Sequence, residues 1–205
     1  MYEYRHLTPE QREELVLTRL KRGFPQHSPP HLVTGCAMYL LTATCYQHAC
    51  YMSSSERRSH LLDQALAEFL AAGVTPIAWS VLPNHYHLLA DSVDIALMPG
   101  VFQRIHGRTA RAWNLEDGQA GRKVWYRYSD RTIRTERHLY TTLNYLHYNP
   151  VKHGWTQSPY DWKESSVQWY VEQFGRDWLR ELWVRYPVRD YGRGWDEVLG
   201  DTNGS

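Results

Sequence analysis

The spacing of apolar residues along the chain changes period several times, and each change predicts an element. AMYLLTATCY (37–46) is rich in β-branched and aromatic residues and reads as a strand. SSSERRSHLLDQALAEFLAAG then switches to helical spacing, with serines to cap it, Gly73 to end it and Leu62, Ala65, Leu66, Phe69 and Leu70 as its stripe. VTPIAWSVL (74–82) predicts a second strand, Pro83-Asn84 a turn, and HYHLLADS a third strand. A helix from about Met98 to Asn114 turns Val101, Ile105 and Ala112 inward and sets Arg104, Arg108 and Arg111 on its other side. VWYRYSDRTI reads as a fourth strand. The helix after it, from about Thr135 to Asn149, carries Leu139, Leu143 and Leu146 inward and is expected to stop at Pro150. The order βαββαβ predicts an α+β fold, a ferredoxin-like antiparallel sheet with helices on one face.

The ends differ from this middle. Thr8, Pro9 and Gln11 form a capping signature for a helix to about Arg22, and GFPQHSPPH breaks regular structure after it. Residues 1–33 are therefore expected to be an N-terminal arm, 34–165 the main domain and 166–205 a C-terminal extension. Six of the nine tryptophans lie from Trp155 onward, with short helical patterns at 167–174 and 178–183. That aromatic tail suits packing on the domain or stacking on unpaired bases.

Composition narrows the class. With 205 residues and 42% hydrophobic content the chain can build one good core. Its apolar runs fall short of the roughly 20 residues needed to span a bilayer. No basic, apolar leader opens it. Cys36, Cys45 and Cys50 are odd in number and lack a CxxC pair, which fits a reducing compartment. The expectation is a soluble, cytoplasmic protein, monomeric or homodimeric.

The anomaly is LPNHYHLLA (82–90), where two histidines interrupt an apolar strand. Strand alternation puts His85 and His87 on one face with Tyr86 opposite. Two imidazoles so placed form a bidentate metal clip, although an isolated HxH more often pairs with polar core groups. On the last helix of the sheet unit, helix geometry turns Tyr145 away from the Leu143 stripe and puts Asn149 on the same side one turn later. A phenol and an amide are thus expected to project together from a polar face.

Charge adds a partner. Residues 104–152 hold eight arginines and two lysines against four acids, an excess of six in a chain whose net charge is +1. Alone, such a cluster reads as a solvated surface; beside a metal clip it reads as a footprint for phosphates. Arg104, Arg108, Arg111, Arg127, Arg131, Arg134 and Lys152 are the expected contacts to a phosphate backbone.

VLPNHYHLL followed about sixty residues later by YLHYNPVKHGW closely resembles the REP-associated tyrosine transposases, relatives of the single-tyrosine transposases of small bacterial insertion sequences. The first motif is similar to that family's HUH pair, with Tyr86 as a less apolar middle residue than usual. VWYRYSDRTIR also resembles the family's strand before the catalytic helix, and the likeness covers roughly residues 37–165. The resemblance implies that Tyr145 is the nucleophile, that Asn149 joins His85 and His87 as a metal ligand, and that the substrate is single-stranded DNA beside a hairpin of a repeated extragenic palindrome (REP). Mixed nitrogen and oxygen ligands admit Mg²⁺ or Mn²⁺, Mn²⁺ being the better match to imidazole. The implied reaction cleaves and joins strands through a 5′-phosphotyrosine. Two alternatives remain: a hairpin-binding protein without catalysis, and a nuclease using a metal-bound water.

Overall fold

The computed structural model describes Thr8 and residues 36–192; the helix expected over 8–22 and the arm as a whole lie outside them. The described chain runs β1 (Cys36–Thr44), a 3₁₀ turn (Tyr46–His48), α1 (Ser55–Ala71), β2 (Thr75–Val81), β3 (His85–Asp94) and α2 (Met98–Glu116). It continues with β4 (Ser129–Thr132), α3 (Glu136–Lys152), a second 3₁₀ turn (Pro159–Asp161), α4 (Val167–Phe174) and α5 (Arg176–Arg185). Four strands form one sheet in the order β2-β3-β1-β4, every neighbouring pair antiparallel.

Helices cover both faces of this sheet, which corrects the expectation of one. On one side α1 and α2 pack over Leu41, Tyr86, Leu88 and Ala90, with the Phe69 and Phe102 rings meeting edge to face at 5.6 Å. On the other, Leu143 and Leu146 of α3, Val167 of α4, and Leu179 and Leu182 of α5 pack over Leu40, Ala78 and Leu89. The cause is in the strands: Leu40-Leu41 and Leu88-Leu89 put bulky apolar groups on both faces, and each face requires cover. Residues 167–185, expected in an extension, thus share the core of α3.

Three boundaries differ from the sequence pattern. The buried stripe of α1 is Arg58, Leu61, Ala65 and Phe69, leaving Leu70 exposed. Arg58 points inward because buried Glu164 awaits it at 3.0 Å, with the Trp162 ring 4.7 Å below the guanidinium. Glu164, Ser165 and Ser166 also close the outer edge of β2, where Val81 N–H donates to the Glu164 carbonyl (2.9 Å) and Ser166 N–H to that of Trp79 (3.0 Å). The fourth strand is short, but Trp125 bridges to Cys45 ahead of it. Finally, α3 continues through Pro150, which removes a single N–H near the helix end; the stop comes at Gly154, with φ of +71°.

Two histidines are buried in this packing, away from the paired motif. His106 stacks on Trp125 at 4.4 Å and hydrogen-bonds to the Tyr86 hydroxyl at 3.0 Å; His147 bonds to Ser166 Oγ at 3.0 Å. Burial pushes both down from 6.5 to about 3. The unfolded chain therefore binds more protons than the folded one between those values, so stability falls as pH drops through that window. Urea unfolding compared at pH 7.5 and pH 5 is expected to show a loss of roughly 4 kcal/mol, about half of it removed in His147→Gln. A flat profile contradicts this.

Candidate active site

β3 is buried on both faces over its first six residues, which answers why its histidines look misplaced. The register pairs Thr44 with His85 and Thr42 with His87, so the two imidazoles lie on the α3 side of a central strand. Their ring centroids are 4.9 Å apart. His85 Nδ1–H donates to Asn84 Oδ1 (2.8 Å), and His87 Nδ1 pairs with Thr42 Oγ1 (2.8 Å). Both rings are thus held through Nδ1. In the neutral His85 ring this leaves the Nε2 lone pair 3.2 Å from Asn149 Oδ1. Two acceptors face each other there, and Asn149 Nδ2 is buried with no hydrogen-bond partner among the described residues. A cation between them, a proton on Nε2, or a reversed amide relieves the clash.

Tyr145 lies beside this pair, its ring 5.4 Å from that of His87. Its environment corrects the expected polar, projecting face, because Tyr145 is only 1% exposed. α3 is wrapped by the sheet on one side and the C-terminal segment on the other, so Thr142 through His147 are all buried. Tyr191 packs its ring 5.7 Å from Tyr145 and hydrogen-bonds through its hydroxyl to His138 (2.9 Å) and Thr142. Gly192 follows with φ of +78°, and its carbonyl accepts from Lys152 Nζ at 3.1 Å. A side chain on Gly192 would strike the Tyr145 ring.

That contact carries a prediction. In wild-type protein Tyr145 is expected to resist nitration, whereas Tyr148, 48% exposed, reacts. Gly192→Val cannot keep the closed segment and is expected to make Tyr145 nitratable, as read by peptide mass spectrometry. A Tyr145 that stays protected in the variant contradicts the covering role.

The expected basic contacts divide into two groups. Arg131 pairs with Leu40 across the sheet and is half-buried; burial lowers its pKa, while the nearby Tyr191 and Tyr145 phenols raise it. Lys152 Nζ lies 5.2 Å from the Tyr145 ring centroid. Arg127 and Arg134 are exposed before and after β4. Arg104, Arg108 and Arg111 are not brought to the histidines, since α2 covers the opposite face. Arg104 and Arg108 are ion-paired to Glu68 of α1 at 2.6 and 2.5 Å, and Arg111 is exposed.

Residues that the sequence reading missed complete the site. Asn84, adjacent to His85, was read only as part of a turn. His153 puts its ring 5.1 Å from His85 and lies four residues after Asn149, a helical spacing that was available. Thr42 and Tyr191 had no local signal.

A buried histidine pair on a central strand thus faces a tyrosine and an amide carried by one helix. No family model matches the chain. A REP-associated tyrosine transposase of Haemophilus influenzae is 32% identical over 140 residues, 61% of this chain and 71% of that protein. The chain belongs to this family. A REP-associated tyrosine transposase of Escherichia coli is 30% identical over 54% of this chain and 59% of its own length. A solved REP-associated tyrosine transposase bound to a REP hairpin shares the fold, with a TM-score of 0.54 at 18% identity over 72% of this chain and 86% of that one. Among the described residues no helix is long and apolar enough to cross a membrane.

Proposed function

We propose that this protein cleaves and rejoins single-stranded DNA at REP-type hairpins through a covalent 5′-phosphotyrosine on Tyr145. The observation that carries this reading is the juxtaposition of Tyr145, His85, His87 and Asn149 in one buried cluster, in a chain of this family. The solved relative holds a REP hairpin, which supports the substrate class. The strand order and pairing support reading the sheet as ferredoxin-like.

The donor set fits a divalent cation. His85 and His87 engage Nδ1 with neighbours, the arrangement that orients Nε2 toward a metal, and Asn149 Oδ1 lies beside one of them. A Mg²⁺ or Mn²⁺ held by these three groups would neutralise a non-bridging oxygen of the scissile phosphate. The remaining work belongs to the chain. α3 holds the Tyr145 phenol in place beside that phosphate, so that attack is effectively intramolecular. The phenol oxygen bonds to phosphorus, the bond from phosphorus to the 3′ oxygen breaks, and a proton lost by the phenol is balanced by one gained on the departing 3′ oxygen. Arg131 and Lys152 supply positive charge near the phenol as it becomes anionic. The phosphotyrosine conserves the bond energy, so attack by another 3′-hydroxyl joins strands without ATP.

The burial of Tyr145 under Tyr191 and Gly192 favours a second reading, hairpin binding without catalysis. Denaturing gel electrophoresis with Mn²⁺ and a labelled hairpin bearing single-stranded flanks separates the two. A protein-linked band supports the transposase reading, bound but uncut DNA supports the second, and cut DNA without an adduct indicates a water-using nuclease.

A further inference from the structure

We infer that Tyr46 and Tyr126, with Lys123, form a stacking platform for an unpaired base of the strand that Tyr145 attacks. The inference rests on the DNA-processing reading above and names a binding position within it. The Tyr46 and Tyr126 rings are 4.9 Å apart, and the His48 ring lies 6.4 Å from that of Tyr126. Lys123 Nζ lies 4.4 Å from one tyrosine centroid and 5.6 Å from the other. Tyr126 remains 39% exposed, and Lys123 and Arg127 on either side of it are exposed as well. Aromatic faces interleaved with cations are what a flexible nucleic-acid strand requires: rings for its bases, charge for its phosphates.

The position of the pair ties it to the candidate active site. Tyr126 N–H donates to the Thr44 carbonyl at 2.9 Å, and Thr44 lies opposite His85. Trp125 bridges to Cys45 and packs in the core under α1 and α2, whereas Tyr126 stays exposed beside it, next to the strand residue that neighbours His85. Two interstrand steps, about 10 Å, separate Tyr126 from His85 along this row.

The turn that carries Tyr46 is strained. Gln47 and His48 have φ of 54° and 53°, a left-handed conformation that two consecutive non-glycine residues rarely adopt. Asn84 holds it: the Asn84 carbonyl accepts from Cys45 N–H at 2.7 Å, and its Nδ2 donates to the His48 carbonyl at 3.4 Å. The same side chain accepts from His85 Nδ1. One residue thus fixes both the platform turn and a proposed metal ligand, which sets the distance between the stacked base and the scissile phosphate.

The test uses full-length Tyr145→Phe protein and hairpin oligonucleotides carrying 2-aminopurine at single positions of the unpaired flank. Binding is expected to quench one flank position next to the cleavage site. Tyr126→Ala, added to this background, is expected to restore emission there and to weaken affinity for the flanked hairpin about tenfold. Affinity for a hairpin without flanks is expected to stay unchanged, and Tyr126→Phe to behave as the parent. Unchanged quenching and affinity in both Tyr46→Ala and Tyr126→Ala, with the hairpin still bound, overturn the platform and leave the proposed function standing. Equal loss for flanked and unflanked hairpins assigns the rings a structural role and also overturns it. A parent protein that binds neither hairpin removes the DNA-processing reading and the platform together.

Discussion

Tyr145→Phe is expected to fold, bind hairpin DNA and form no covalent complex, a complete loss of the adduct band. The substitution removes one oxygen and keeps the ring packed between His87 and Tyr191, at centroid distances of 5.4 and 5.7 Å. Its cost in stability is therefore expected to be about 1 kcal/mol or less. The neighbouring tyrosines provide the control. Tyr140 stacks on Tyr186 at 5.0 Å, and Tyr148 is exposed. Tyr140→Phe and Tyr148→Phe are each expected to retain the adduct. An adduct that persists in Tyr145→Phe and disappears in Tyr148→Phe would assign the nucleophile to the exposed residue.

His85→Ala and His87→Ala are expected to lower cleavage on the order of 10³-fold each while changing hairpin affinity little. In the proposed reading, arginines and lysines would meet the backbone phosphates and the imidazoles would hold the cation. Chelation of divalent metal is expected to produce the same loss in wild-type protein and no further loss in either variant. Because both rings are buried, thermal midpoints and fluorescence-anisotropy binding must be measured beside cleavage. Parallel loss of binding and cleavage would make the histidines structural, holding Thr42, Asn84 and Asn149 in the core.

Much of the fold was legible because its signals are local. Apolar, β-branched and aromatic runs and the helical spacing between them located all four strands and the helices between them, and the Ser54 and Thr135 caps fall where the polar residues stand, accepting from Arg57 and His138 N–H. The expected α1 stripe of Leu62, Ala65, Leu66, Phe69 and Leu70 left out Leu61 and Arg58, which are buried. Only Glu164, more than a hundred residues away, makes Arg58 a core residue. Likewise the arginines of α2 look like a phosphate footprint in one dimension, yet two are ion-paired to Glu68.

The sequence by itself determined which candidate site residues share a face. Alternation alone puts His85 and His87 on one face, and the helical repeat alone aligns Tyr145 with Asn149, because these relations depend only on backbone geometry over a few residues. Tertiary structure decided what surrounds them. A helix face that is polar by pattern becomes buried when Tyr191 and Gly192, some 45 residues later, close over it, and burial is a property of the assembled surfaces rather than of any segment. Equally, the cross-strand register supplies Thr42 to His87, and the two-sided packing of the sheet sets α3 against the histidines and α2 away from them. Contacts between distant residues arise from the joint minimum of all the packed elements, and no local period encodes that.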